Sequence, residues 1–291
     1  MPLNNRYAYL VLLFMNSFTT STLAIDLQPG DLRAPKIGIS FAQFILQQSN
    51  WRGRYVHGQL QSGDPQLETS HLFTRVGHVF EMVEKPLLFF AQTPVTAMQP
   101  AGSLADQDRV SGIGDTMFLL ALWPYANRDT QTYFGVGAYL FAPTGDYHHD
   151  EKFNTGENRY RGALQMGVQA PLTTRSRWML ALDTVWYGEN AEFGSRRDLL
   201  EKAPLTTAQV NVQYDVLPGY ALAASYFYTD GGETTLNTVR QHDPTRLHRY
   251  QLTGTAYFSS GRIVVQYGGD LETENGLFED NRLILRYMRY F

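Results

Sequence analysis

Strict alternation of apolar and polar residues marks the segment from residue 206 to residue 216. Every second residue there is apolar or aromatic, and the residues between them are Thr, Gln, Asn and Asp. Successive side chains of a strand point to opposite faces, so this segment predicts a strand with one apolar face and one polar face. Its length matches the roughly 9–11 residues that a tilted strand needs to cross a bilayer.

The same alternation recurs at residues 161–172 and 176–187, which a tight connection separates. In the second of these segments Trp178 and Trp186 stand at the two ends of the apolar face, as girdle residues do at the two membrane interfaces. Together with less regular segments, the pattern predicts about twelve strands. The less regular strands are predicted near 36–47, 70–82, 86–97, 112–124, 131–142, 220–228, 250–258, 261–271 and 281–291.

The connections between these segments alternate between short turns and long polar loops. Outer-membrane barrels are built in this way, with short turns on one side of the membrane and long loops on the other. Closing the sheet pairs every backbone N–H and C=O inside the bilayer. The sequence therefore predicts an all-β fold, a closed antiparallel up-and-down transmembrane β-barrel of about 12 strands within a range of about 10–14. Both termini are then expected in the periplasm.

The first 24 residues are typical of a cleaved signal peptide. A positive residue, Arg6, precedes an apolar run, and the leader ends at Thr22-Leu23-Ala24 with small residues where a signal peptidase reads them. The predicted organisation is a signal peptide at 1–24, a periplasmic N-terminal segment at 25–35 and the transmembrane barrel at 36–291. The predicted location is the outer membrane of a Gram-negative cell.

The last strand ends in Phe291, on the same face as Tyr287. A terminal aromatic residue of this kind resembles the signal that barrel-assembly machinery recognises, so this machinery is an expected partner. Arg289 departs from that signal and can snorkel to the headgroups. The lipid bilayer and lipopolysaccharide are the other expected partners. The predicted membrane-girdle residues are Trp178, Trp186, Tyr214, Tyr287 and Phe291.

Composition narrows the possible functions. The chain has no cysteine, which excludes disulfides, thiolate metal sites and cysteine nucleophiles. Its formal net charge of −4 gives no basic excess for binding nucleic acid. The cluster from His148 to Glu151 is interpreted as a solvated loop, because adjacent strand residues point to opposite faces. No serine is matched with a histidine and an orienting carboxamide or carboxylate, so we expect no enzyme, no catalytic residue, no metal and no cofactor.

Polar side chains collect on the face that a barrel turns inward. The candidates for lining the lumen are Arg75, Glu81, Gln165, Gln169, Arg177, Asp183, Gln209, Asn211, Gln213, Asp215, Arg262, Gln266, Asp270, Arg282 and Arg286. They could form a polar passage for small solutes, or they could fill a narrow interior with ion pairs and hydrogen bonds. The sequence leaves both possibilities open.

Two short sequence motifs in the middle of the chain, here called the two phrases, indicate a family more specifically than the composition does. Gly112-Ile-Gly-Asp115 opens a predicted strand, and Ala142-Pro-Thr-Gly-Asp-Tyr147 ends the next one. Together they resemble the outer-membrane barrel family of transporters named for the meta-pathway of phenol degradation. The resemblance implies a channel or facilitated transporter for small solutes, with aromatic or hydrophobic compounds as candidates. The alternatives are a plugged, non-transporting barrel with an envelope-structural or loop-mediated binding role, and a soluble periplasmic β-sandwich.

Overall fold

The computed structural model describes residues 25–291, which are built almost entirely of strands. The predicted signal peptide at 1–24 lies outside the described residues. Within residues 25–291 no helix has the length and the apolar character to cross a membrane.

Twelve long antiparallel strands form one closed barrel. They are β1 (Ser40–Val56), β2 (Pro65–Met82), β3 (Lys85–Gly102), β4 (Thr116–Asn127), β5 (Thr132–Ala142), β6 (Arg161–Pro171), β7 (Ser176–Tyr187), β8 (Leu205–Leu217), β9 (Tyr220–Gly231), β10 (Thr245–Phe258), β11 (Gly261–Thr273) and β12 (Gly276–Tyr290). Each pairs with the next along the chain, and β12 pairs with β1 from Phe41 opposite Tyr290 onward. The predicted all-β barrel is confirmed.

Burial alternates along the strands as the sequence pattern predicts. In β8 the outward side chain of Val212 is 46 % exposed, whereas its neighbour Asn211, on the inner face, is 2 % exposed. The exposed apolar faces of neighbouring strands adjoin, because each strand pairs in register with the next. The result is a wall that is apolar outside, where lipid would cover it.

At one end of the barrel short turns connect neighbouring strands, and we call it the short-turn end. The connection between β2 and β3 is the two residues Val83 and Glu84, which have φ angles of 52° and 58°. Two positive φ angles are typical of the type I′ turn, whose twist matches that of a hairpin. The backbone at this end therefore reverses with almost no exposed loop.

The opposite end, here the long-loop end, differs from the sequence-based expectation in two connections. The segments 48–69 and 272–280 were expected to be loops, but β1, β2 and β12 extend through most of them. Backbone pairing continues past the membrane, whereas the apolar alternation that reveals a strand in the sequence stops with the lipid. At the same end the connections after β7 and β9 form a separate four-stranded sheet of Asn190–Phe193, Asp198–Lys202, Thr234–Leu236 and Val239–Arg240.

The outer wall gives a direct stability prediction. Leu182 is 45 % exposed in the middle of β7, and Leu217 is 61 % exposed beside a short turn. An arginine at the middle of the apolar belt costs about 2–4 kcal/mol, whereas the cost near an interface is about 0–1 kcal/mol. We expect Leu182→Arg to lower the unfolding free energy in lipid vesicles by about 2–4 kcal/mol, and Leu217→Arg to change it much less. Equal losses in denaturant titrations would contradict the placement of the membrane.

Candidate transport lumen

The inner wall of the barrel has two chemically different parts. On β3, β4 and β5 the inward side chains are mostly apolar, and we call this part the apolar sector. On β8 to β12 they are mostly amides, hydroxyls and charged groups, and we call this part the polar sector. The apolar sector includes Phe90, Met117, Leu119, Tyr139 and Phe141. A solute inside the barrel would therefore contact an apolar wall on one side and hydrogen-bonding groups on the other.

Most of the predicted lumen residues lie on the inner face. Those that the structure buries are Gln165, Gln169, Asp183, Gln209, Asn211, Gln213, Arg262, Gln266, Asp270, Arg282 and Arg286. Arg75, Arg177 and Asp215 are partly buried, and Arg177 forms an ion pair with Asp215. Glu81 differs, because it is exposed at the end of β2 beside the short turn. The predicted girdle residues Trp178, Trp186, Tyr214, Tyr287 and Phe291 all lie outside the lumen and are partly or fully exposed.

Residues 25–35, which we call the plug segment, lie inside the barrel. The sequence predicts a periplasmic N-terminal segment here, and in the structure this segment contacts side chains of the inner wall. Gln165 in β6 donates a hydrogen bond of 2.8 Å to the carbonyl of Ile25, and Gln209 in β8 exchanges hydrogen bonds with the backbone of Leu27. Amides from the inner wall thus satisfy backbone groups that would otherwise be buried unpaired.

Charged side chains fix the plug segment to the polar sector. Asp26 pairs with Arg249 at 3.0 Å, and Asp31 pairs with Arg262 at 2.6 Å. All four side chains are largely withdrawn from solvent. Separating a buried ion pair leaves two unpaired charges away from water, which is costly. Each pair therefore favours one position of the segment.

Apolar contacts hold the plug segment to the opposite wall. Leu32 packs so closely against Gly167 in β6 that a Cβ atom there would lie 2.6 Å from a Leu32 methyl group. Trp123 in β4 donates a hydrogen bond of 2.8 Å to the carbonyl of Leu32. The plug segment therefore touches both walls and crosses the lumen.

A cavity of about 1080 Å³ lies beside the plug segment at the short-turn end. Its lining combines apolar residues of the apolar sector, such as Phe90 and Leu119, with the charged groups Arg75, Arg262 and Asp31. Ligand pockets commonly have volumes of about 300–1,000 Å³ and a mostly apolar lining with a few polar groups. This cavity could therefore hold a small organic molecule.

A much smaller cavity of about 90 Å³ lies at the long-loop end. Beside it Glu157 pairs with Arg159 at 2.7 Å and with Arg161 at 2.9 Å. Asp115 lies 3.8 Å from Arg161, and all four side chains are buried. This network joins the loop after β5 to the barrel wall.

Lys202 extends into the same region from the four-stranded sheet. Its Nζ atom lies 4.7 Å from the centre of the Tyr187 ring. Burial lowers the pKa of Lys202 to about 8. The ammonium charge is therefore lost as the pH rises through about 8, which makes the electrostatics of the long-loop end depend on pH.

The two sequence phrases meet beside this network. Asp115, the last residue of the first phrase, accepts hydrogen bonds of 3.1 Å from the N–H groups of Gly145 and Glu157. Asp146 of the second phrase accepts one of 3.0 Å from Ile113. Gly145 approaches Gly156 so closely that a Cβ atom would lie 2.7 Å from its Cα. The phrases lock the wall at the start of β4 to the loop after β5.

One serine and one histidine come together, which the sequence did not reveal. Ser40 Oγ lies 2.8 Å from His78 Nδ1, and the two residues are opposite each other on β1 and β2. A hydrolase needs a third group to orient the histidine. Within the described residues His78 has no hydrogen-bonded carboxylate or carboxamide, and no group of three or more His, Asp or Glu could hold a metal ion.

Comparison with known proteins supports a membrane channel. The chain is similar to the COG4313 outer membrane channel from Pseudomonas putida F1, with 30 % identity, a TM-score of 0.88, and coverage of 91 % of this chain and 100 % of that one. The beta domain of the Bordetella autotransporter Brka shares the fold alone, with 10 % identity, a TM-score of 0.56, and coverage of 88 % of this chain and 100 % of that one. No curated protein matches the sequence. The chain is an outer-membrane β-barrel and belongs to the family described as "Putative MetA-pathway of phenol degradation", whose model matches residues 47–287.

Proposed function

We propose that this protein is an outer-membrane channel through which small, mainly apolar solutes pass. The observation that carries the proposal is the apolar sector, which faces a cavity of about 1080 Å³ inside the barrel. A hydrophilic pore has no need of an oily inner wall, and burying apolar groups there offers a solute about 25 cal/mol for each Å² that leaves water. The likeness to an outer membrane channel supports the same proposal.

The proposed orientation puts both termini and the short turns in the periplasm. The long-loop end then faces the outside and contacts lipopolysaccharide, and the aromatic girdle meets the two interfaces. The exposed terminal Phe291 supports recognition of β12 by barrel-assembly machinery. In this arrangement residues 1–24 are the export signal, and the plug segment enters the lumen from the periplasmic side.

The polar sector and the apolar sector have different roles in the proposed channel. In the proposal the amides and charged groups of the polar sector hold the plug segment in place. The apolar sector carries the solute. The protein therefore binds and releases its solute without changing it, and the proposal requires neither a catalytic group nor a cofactor.

Uptake of N-phenyl-1-naphthylamine by intact cells tests this proposal. The compound is apolar and becomes fluorescent in a membrane interior, and an intact outer membrane slows its entry. We expect cells that express the protein to take it up severalfold faster than cells without it. Leu119→Gln, in the apolar sector, should reduce that rate, whereas Leu120→Gln on the outward face should not.

Heat-modifiable gel mobility confirms that both variants are folded, and retention of a periplasmic enzyme confirms that the cells do not leak. Equal uptake with and without the protein would reject the channel. That result would favour the second candidate, a plugged barrel that acts through its loops, which the position of the plug segment across the lumen supports.

A further inference from the structure

Three arginines lie close together on the inner wall at the short-turn end. Arg75 in β2 and Arg262 in β11 belong to one row of paired residues that runs through Gln43 and Met288. Arg286 lies on the same face as Met288, two residues earlier in β12. We call Arg75, Arg262 and Arg286 the arginine cluster.

Within residues 25–291, Asp31 is the one carboxylate that pairs directly with the arginine cluster. Asp31 of the plug segment binds Arg262 at 2.6 Å and is within electrostatic range of the other two guanidinium groups. Arg75 donates hydrogen bonds of 2.9 Å and 2.6 Å to the amide oxygen of Gln92, and Arg286 donates one of 2.9 Å to that of Gln266. Among residues 25–291 neither Arg75 nor Arg286 forms an ion pair.

Neutral amides satisfy hydrogen bonds but do not cancel charge. A buried charge without a counter-charge is costly, and proteins normally pair it. Asp26 also acts on Arg286, but it is already paired with Arg249. The three guanidinium groups of the cluster therefore leave an excess of positive charge on this part of the wall. The excess would attract an anion into the cavity.

The wall next to the arginine cluster is apolar. The Arg75 guanidinium lies 4.2 Å above the ring of Phe90, and Phe90 contacts Phe41 edge to face with ring centres 6.4 Å apart. Leu119 and Tyr139 continue this surface within the same cavity. Cationic groups and an oily surface thus meet at Phe90.

We propose that the cavity binds an amphiphilic monoanion, namely an aromatic or aliphatic carboxylate with an apolar body. Its carboxylate binds Arg75, which lines the cavity, and its apolar body lies on Phe41, Phe90 and Leu119. Arg286 lies behind this lining, within electrostatic range of Arg75, and adds positive charge to the site. Guanidinium groups suit carboxylates because they donate two parallel, charge-assisted hydrogen bonds. This inference rests on the proposed channel function and specifies the class of solute that the channel selects.

Calorimetric titration of the folded full-length protein in an uncharged detergent tests the site with a matched pair of probes. The probes are 4-phenylbutyrate and 4-phenylbutanol, which share the apolar body and differ in the charged group. We expect the carboxylate to bind about tenfold or more tightly than the alcohol. Acetate, which lacks the apolar body, should bind far more weakly than 4-phenylbutyrate.

Arg75→Gln should abolish the preference for the carboxylate over the alcohol, and Arg286→Gln should reduce it severalfold. Arg109→Gln is the matched control, because Arg109 is exposed at the long-loop end and bonds Gln99. Equal affinities of the two probes for the wild-type protein, or a preference that survives in both cluster variants, would overturn the inference.

Uptake measurements separate failure of this inference from failure of the channel. If uptake of N-phenyl-1-naphthylamine depends on the protein but the two probes bind equally, the channel stands and the anion site is rejected. If the carboxylate binds preferentially and uptake does not depend on the protein, the anion site stands and its role in transport is rejected.

Discussion

Replacing residues 27–33 with a Gly/Ser linker of equal length is expected to raise single-channel conductance severalfold while the barrel stays folded. These residues include Asp31, which pairs with Arg262, and Leu32, which packs against Gly167. A Gly/Ser linker behaves as a flexible coil and offers no side chains for those contacts. Without them Ile25 and Asp26 still bind the inner wall, but the small, flexible linker fills less of the lumen, so ions gain space.

Planar bilayers provide the measurement, with the wild-type protein as reference. The control is Ile37→Ser, because Ile37 belongs to the same part of the chain, is exposed and does not line the cavity. We expect the control to conduct like the wild type. A linker variant with unchanged conductance would mean that some other part of the barrel limits the current.

Asp115→Ala is expected to lower the free energy of unfolding by about 3–5 kcal/mol, the usual cost of removing one partner from a buried charge network. The carboxylate of Asp115 accepts hydrogen bonds from the N–H groups of Gly145 and Glu157 and lies 3.8 Å from Arg161. The substitution leaves the buried N–H of Glu157 and the partly buried N–H of Gly145 without this acceptor, and Arg161 with one carboxylate fewer.

The matched control for Asp115→Ala comes from the second phrase. Asp146 also accepts a backbone hydrogen bond, from Ile113, but it is exposed. Asp146→Ala should therefore cost only about 0.5–1.5 kcal/mol, the net value of one ordinary hydrogen bond. Denaturant titrations in lipid vesicles measure both values. Similar losses for the two variants would show that the buried network does not stabilise this junction.

The barrel wall is predictable from the sequence because apolar and polar residues alternate along the lipid-facing strands. The strand predicted at 176–187 has the same bounds in the structure, as β7. Between Gly112 and Trp123 the sequence predicts a strand but does not show which face points outward, because both faces are largely apolar. The structure explains this ambiguity, because β4 has lipid on one side and the apolar sector on the other. Apolar residues on both faces of this strand were therefore the sequence signal for an apolar inner wall.

The position of the plug segment and the contact between the two phrases could not be predicted in the same way. The plug segment has no periodicity, and its partners are single residues far along the chain, such as Gln209 for Leu27 and Gln266 for Gln28. The two phrases each look like local turns, and only folding brings Asp115 to Gly145. Contacts between distant single residues leave no repeating pattern in one sequence.

The plug segment is also joined covalently to β1, so it acts as a ligand that cannot diffuse away. Residues 36–39 form the tether, and Gly38 and Ile39 are hydrogen-bonded to Val79 of β2. A ligand held on a short tether has an effective concentration in the millimolar range. We expect a solute that displaces the plug segment to compete with it continuously, and the segment to bind the inner wall again once the solute leaves. Resealing of this kind would require neither a second protein nor an energy source.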